Sequence, residues 1–412
     1  MNSLRVFEHE ALYTSADSRG RCLTQQQYEQ LCAYNDRHGS QYFTVLRRGI
    51  KFSHFVGVIQ VGRTTIEILP KTDNREETAW RNVLLQMLSL CGKVPRKVVA
   101  DATLRKRNAS LMELYLHQYL DEVESLAHRG LIKKYGRRQG QTKALKGKLL
   151  MAPHLRKNVI HKERFYTEHT VYSADNLYNQ VLKKGLEVIK SLPCAPQIKD
   201  RAAGLSLYFQ SVSTCGTVTE ETFTRLRPTR HTEAYREALA IARLLILNYA
   251  PDIKTGTENL LAILFNMNDL WEQYIFRMLH RTRPTGVMVH AQSSKHFWKA
   301  EGLQVKTIRP DIVIEKDGCT WVIDTKWKRL TFAKPSDNDL KQMYAYNLHW
   351  NCRHSILLYP QTPQSPPATY GRYLAHQDVA HGCSLAFISL PDGNGGLEKE
   401  VLQNFWRWLD AK

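Results

Sequence analysis

Residues 309–326 constrain the fold more than any other stretch. They read Arg309-Pro310-Asp311-Ile312-Val313-Ile314-Glu315-Lys316-Asp317-Gly318-Cys319-Thr320-Trp321-Val322-Ile323-Asp324-Thr325-Lys326. Two apolar, β-branched runs flank Asp-Gly, a dipeptide that strongly favours a two-residue type I′ hairpin turn. With Asp317-Gly318 as the loop, Lys316 pairs with Cys319. The same register sets Asp311 opposite Asp324, whereas a longer turn would shift it. Directly opposed residues have Cβ atoms about 4.5–5.5 Å apart. Two carboxylates that close repel each other unless a cation lies between them. Ligands that are all oxygen suit a hard ion such as Mg²⁺. Lys326 follows Asp324 by two positions, so strand alternation puts both on one face. An ammonium there can orient water and stabilise a pentavalent phosphate. Asp-x-Lys also occurs at Asp252-Ile253-Lys254 and Asp339-Leu340-Lys341. Neither ends an apolar strand or has an Asp upstream across a hairpin, so Asp324 alone carries the full context.

Helical patterns around the hairpin add candidates. Residues 258–279 read as one long helix with Leu264, Trp271, Ile275 and Met278 as its apolar stripe. Asn268 and Glu272 are four apart on another face, so Glu272 is a candidate third metal ligand. Residues 337–348 are amphipathic, and Gln342 and Tyr346 are again four apart. Both can hydrogen-bond a DNA phosphate or Lys326. Strand signals near Val287, Val305 and Ile312, and at 320–325, 355–359 and 384–390, complete an α/β arrangement, with a proline-rich loop at 360–368.

The first third opens with β signals. Residues 42–46, 52–61 and 64–69 are rich in β-branched and aromatic residues. Gly62-Arg63 reads as a hairpin turn, and Pro70 ends the third strand because it cannot donate to a ladder. Helical patterns follow at 78–90 and 109–128, with Gly130 as a stop, and again at 175–192 and 232–247. The expected fold is α+β and multidomain. A β-rich N-terminal part with helical insertions spans 1–165, a helical linking region 166–257 and an α/β domain 258–412.

The net charge is +19, which suggests a polyanionic partner. Residues 93–164 hold 18 Lys and Arg against 6 Asp and Glu, so most of the excess sits there. Its densest parts are Ile132-Lys133-Lys134-Tyr135-Gly136-Arg137-Arg138 and residues 143–148. Lys133, Lys134, Arg137 and Arg138 are the candidate phosphate contacts, on a loop that reaches a partner. A solvated basic face is the plain alternative. Residues 1–15 contain Glu8 and Glu10 and no apolar core, so no signal peptide is expected. The longest apolar run, 238–247, is broken by Arg243 and is too short to span a bilayer. Among the eight cysteines no two lie closer than ten residues, so no C-x-x-C site exists, and a reducing cytoplasm is expected. The chain has no G-x-x-x-x-G-K-[ST] phosphate loop.

The set of residues resembles the PD-(D/E)xK nuclease superfamily, and within it the McrC family of McrBC modified-cytosine-dependent restriction systems. The similarity rests on Met267-Asn268-Asp269-Leu270-Trp271-Glu272, Arg309-Pro310-Asp311-Ile312, Asp324-Thr325-Lys326 and Lys341-Gln342-Met343-Tyr344-Ala345-Tyr346. Two earlier segments also resemble that family: Ile66-Glu67-Ile68-Leu69-Pro70-Lys71, and Tyr172-Ser173-Ala174-Asp175-Asn176-Leu177-Tyr178-Asn179-Gln180. Departures are Thr325 for Ala, Lys341 for Tyr and a longer chain. The resemblance implies a Mg²⁺-dependent DNA endonuclease. Asp311, Asp324 and Glu272 would hold the metal, Lys326 would activate water, and Gln342 and Tyr346 would support them. It also implies a partner, the hexameric GTP-hydrolysing AAA+ motor McrB, which carries the reader of modified DNA and whose hydrolysis the N-terminal part, residues 1–165, would stimulate by docking into it; double-stranded DNA would be cut in the cytoplasm. Two alternatives remain open: a non-catalytic activator of the motor, and a standalone RecB-like nuclease.

Overall fold

Asp317 and Gly318 form the expected turn, both with left-handed backbone (φ 49° and 77°), a conformation that glycine adopts freely. The strands on either side, Ile312–Lys316 and Cys319–Thr325, pair antiparallel from Lys316 with Cys319 to Ile312 with Ile323. The register is the one the two-residue loop dictates. In this computed structural model the described residues are 2–71, 77–94, 110–227, 229–250, 259–301, 304–330, 332–374, 380–390 and 397–410. The fold is mixed α+β with several sheets. The chain divides into two compact units. One comprises Met1–Asn2, Ile59–Thr65 and Ser110–Ile263; the other comprises Ser3–Val58, Ile66–Ala109 and Leu264–Lys412.

The unit that contains the hairpin is built on a six-stranded sheet. Its order is Met288–Ala291, Ile312–Lys316, Cys319–Thr325, His354–Gln361, Gly382–Ser389, Thr369–Arg372. The three central strands from Cys319–Thr325 to Gly382–Ser389 run parallel. Helix Asp337–Trp350 makes the crossover between the first two of these and packs on all three. Alternation aims Val313 and Val322 at that helix, where they join Met343, Tyr346, Trp350, Leu357 and Tyr359 in one buried cluster. Helix Met267–Thr282 packs on Met288–Ala291 and Cys319–Thr325, and also on helices Glu77–Leu90 and Leu397–Asp410.

Residues 259–279 differ from the single helix expected, and Glu258 lies outside the described residues. Leu260–Asn266 is a strand, and the helix starts at Met267. A short continuous apolar run fits a buried strand as well as a helix, and here Leu260 and Leu261 pair with Ala250 and Tyr249. Asn266 ends the strand and caps the helix, accepting from the backbone N–H groups of Asn268 and Asp269. The segment Ile66-Glu67-Ile68-Leu69-Pro70-Lys71 has a local rationale too. Glu67 is buried between the guanidinium groups of Arg5 and Arg81, at 3.5 and 3.4 Å.

In the other unit, helices Leu111–Arg129, Leu177–Ser191, Pro196–Ser206 and Arg236–Leu247 pack together. Gly185 is required there, because a Cβ would strike the Tyr119 ring, whose hydroxyl donates to the Leu182 carbonyl at 2.6 Å. Residues 134–138, read from sequence as a loop, belong to a strand. Lys134–Thr142 pairs antiparallel with Phe165–Ser173 along its whole length, and Lys148–Leu149 joins the opposite edge of the latter. The base of this ribbon is pinned by asparagines. The Asn179 amide donates to the carbonyls of Ile132 and Ala174 at 2.9 and 2.7 Å, and the Asn176 amide donates to the same two at 2.9 and 3.1 Å. The Tyr235 hydroxyl in turn donates to Asn179 Oδ1 at 2.9 Å. Among the described residues no helix is long and apolar enough to cross a membrane.

Candidate active site

The hairpin delivers Asp311, Asp324 and Lys326 to one end of the sheet. Asp311 immediately precedes the first strand and, by the register, faces Asp324. Its Oδ2 accepts from the Thr325 backbone N–H at 2.7 Å and from the Thr325 hydroxyl at 2.8 Å. Thr325, the position that departs from the McrC pattern, therefore ties the two strands together through Asp311. Asp324 is buried, and its Oδ2 forms an ion pair with Lys326 Nζ at 2.6 Å. The shared face expected from alternation is thus present.

Burial pushes the carboxyl of Asp324 up to about 6, with Asp311 adding like-charge repulsion. Burial also raises Asp311, against the hydrogen bonds from Thr325. For Lys326, burial works against the charged form, but Asp324, Asp339 and Asp311 outweigh it and hold the pKa above the usual lysine value.

Gln342 and Tyr346, one turn apart on helix Asp337–Trp350, form a hydrogen-bonded chain. Lys326 Nζ donates to Gln342 Oε1 at 3.3 Å, Gln342 Nε2 to the Tyr346 hydroxyl at 2.8 Å, and that hydroxyl to the Arg309 carbonyl at 2.8 Å. The helix thus braces the lysine and the strand approach to Asp311 together. Glu272, on helix Met267–Thr282, accepts from Gln292 Nε2 at 2.8 Å. Gln292 follows the strand Met288–Ala291, and its backbone N–H donates to the Asp311 carbonyl at 2.9 Å. Burial and then the Asp311 charge raise the Glu272 carboxyl to about 7.

Three contributors escape a reading by motif. Asp339 belongs to one of the Asp-x-Lys tripeptides set aside above, and it nonetheless lies at the site, 3.6 Å from Lys326 Nζ and 2.5 Å from Lys328 Nζ. Its spacing of three and seven from Gln342 and Tyr346, one helical face, is the signal that finds it. Gln292 carries no such signal. Glu8 is 319 positions from its partner Trp327, whose indole Nε1 donates to Glu8 Oε1 at 2.7 Å. The other tripeptide, 252–254, lies outside the described residues.

Among the described residues no three His, Cys, Asp or Glu side chains converge as a ready-made metal cage. The donor set still fits Mg²⁺, which is commonly held by one or two carboxylates together with water and substrate phosphate. Asp311 and Asp324, opposed and both raised by burial, are such a pair.

Lys133, Lys134, Arg137 and Arg138 are all exposed on or beside the ribbon. Alternation along the strand puts Lys134 and Arg138 on one face and Arg137 on the other. Lys134 Nζ sits 3.9 Å from the centre of the Tyr178 ring, and Arg137 lies 3.9 Å from Glu168. Tyr135 and Tyr172, paired across the ribbon on the Arg137 face, lie with tilted rings 4.8 Å apart between centroids and are exposed.

The McrBC 5-methylcytosine restriction system component family matches residues 50–360. The chain belongs to this family. The match takes in every candidate site residue, and the McrBC likeness extends to solved structures. The chain is similar to one in the refined half-complex from a tetradecameric assembly of Thermococcus gammatolerans McrB AAA+ hexamers with bound McrC. Identity is 19%, the TM-score is 0.70, and the match covers 98% of this chain and 100% of that one. That likeness is one of fold. It is also similar to a chain of the cryo-EM structure of the Thermococcus gammatolerans McrBC complex, at 21% identity and TM-score 0.49, covering 69% of this chain and 89% of that one. No curated protein matches.

Proposed function

We propose that this McrBC family chain is the DNA-cutting subunit of a modification-dependent restriction complex, with a PD-(D/E)xK nuclease site. The observation that carries the reading is the hairpin end, where a buried carboxylate (Asp324), a half-buried one opposite it (Asp311) and a paired lysine meet. Asp311 and Asp324 would hold Mg²⁺, with Glu272 nearby. When bound, the ion supplies charge neutralisation at a phosphodiester oxygen and a lower pKa for water. The chain's own groups supply position. Thr325 fixes the Asp311 carboxylate, Gln342 and Tyr346 fix the Lys326 side chain, and the ammonium offers charge to developing phosphate oxygens. Glu272, whose carboxyl burial and the Asp311 charge raise to about 7, would be a further oxygen donor in its ionised form.

The partner follows by analogy. The solved McrC of similar fold is bound to McrB AAA+ hexamers, so a McrB-like GTPase is the expected motor and carrier of the modified-cytosine reader. The test is cleavage of modified DNA by the reconstituted complex with Asp324→Asn. Cleavage should fall by about a hundredfold or more, while stimulation of the partner's GTPase persists and shows that the chain is folded. Cutting at the wild-type rate would refute the site. Absence of cutting by the wild-type complex, with GTPase stimulation intact, would make the chain an activator instead.

A further inference from the structure

Lys326 has three partners, and they are not equivalent. Its ammonium is 2.6 Å from Asp324 Oδ2, 3.3 Å from Gln342 Oε1 and 3.6 Å from Asp339 Oδ1. Asp324 is also a carboxylate assigned to the metal. A carboxylate that donates to a divalent cation is a poor partner for a second cation, because the two cations repel. A cation held by Asp324 would therefore weaken the contact that holds Lys326. Its side chain is only 23% exposed, and an ammonium so placed needs a second counter-charge to remain ordered.

Asp339 is built to be that counter-charge. Its backbone N–H donates to Ser336 Oγ at 3.2 Å, which fixes it in the first turn of helix Asp337–Trp350. Its Oδ2 is anchored by Lys328, so the other oxygen, Oδ1, is the one turned to Lys326. It lies one turn before Gln342 on the same helical face. Asp339 and Gln342 together make a fixed seat that does not involve Asp324.

The geometry points to Asp339 as a positioning residue, the reserve counter-ion that keeps the Lys326 ammonium in place when Asp324 is engaged by a divalent cation. This inference rests on the nuclease reading above. Lys326 is shared between two carboxylates, and it would rest on Asp339 and Gln342 if a divalent cation held Asp324.

The test titrates the full-length chain with Mn²⁺ and Mg²⁺ by calorimetry and measures cleavage by the reconstituted complex. Asp339→Asn keeps the size of the side chain and removes its charge, so Lys326 competes harder for Asp324. Cation affinity should fall about tenfold, equivalent to about 1.4 kcal/mol, and maximal cleavage should fall as well because the ammonium is no longer seated. Asp339→Glu, which keeps the charge, should return affinity to within about threefold of wild type. Asp337→Asn removes an exposed charge from the same first turn and should change neither quantity. Wild-type affinity and cleavage in Asp339→Asn would overturn the inference, as would an equal loss in Asp337→Asn. The nuclease reading would survive that result as long as Asp324→Asn abolished binding and cutting. If the wild-type chain neither binds the cations nor cuts, the nuclease reading fails and the inference with it.

Discussion

The indole N–H of Trp327 donates a 2.7 Å hydrogen bond to Glu8, a buried carboxylate at the end of the N-terminal strand. Trp327 follows Lys326 directly, and its ring lies against Trp271, the neighbour of Glu272, with centroids 5.2 Å apart. The same Glu8 oxygen accepts from the Lys71 backbone N–H at 3.0 Å. One carboxylate near the start of the chain therefore supports the residues beside two candidate catalytic groups. Replacing Glu8 by Ala strands both donors and should cost about 1–3 kcal/mol of stability. Glu8→Gln retains an acceptor and should cost less. Denaturant unfolding of the three proteins checks the order, and equal midpoints would show that the contact contributes nothing.

Acidity at Glu272 should be visible as a pH dependence of stability. Burial, reinforced by Asp311, raises its carboxyl from 4.5 to about 7. Between those values the folded chain holds a proton that the unfolded chain has released, so stability falls as pH rises through this window. Without a divalent cation, the Tm of the wild type should drop from about pH 5 to about pH 8 more steeply than that of Glu272→Gln. Parallel curves for the two proteins would mean that Glu272 titrates normally.

The basic ribbon offers an independent measurement. If Lys133, Lys134, Arg137 and Arg138 each neutralise one DNA phosphate, changing all four to Gln should lower the slope of log affinity against log salt by about 3–4. The calorimetric response of the metal site should stay as in wild type. A slope that does not move would assign the ribbon's charge to something other than DNA.

How much of this was legible from sequence depends on the range of the interactions. The hairpin register is readable, because turn chemistry at Asp317-Gly318 fixes it locally, and one residue beyond the last pair, Ile312 with Ile323, it brings Asp311 to Asp324. Gln342 and Tyr346 were readable from helical spacing. The strand Leu260–Asn266 was not, since Leu-Leu-Ala-Ile-Leu-Phe suits either state and pairing decided it. The ribbon is hidden for the opposite reason. Lys134–Thr142 is almost wholly exposed, so neither face needs apolar residues and no alternation marks it as a strand. Asp339 is hard to read because its own tripeptide is a poor match to the motif, whereas its place on the Gln342 face is what brings it to Lys326. The Glu8–Trp327 pair joins residues at nearly opposite ends of the sequence, and no local pattern encodes such a contact.

The asparagine clamp at Ile132 and Ala174 bears on how this family can diversify. Because one amide holds both feet of the ribbon, the chain leaves and re-enters its helical unit at practically the same point. Everything between is topologically a single excursion. Such an excursion can be shortened, lengthened or exchanged for another without re-threading the helices beneath it, so the surface it presents is free to change faster than the scaffold that carries it.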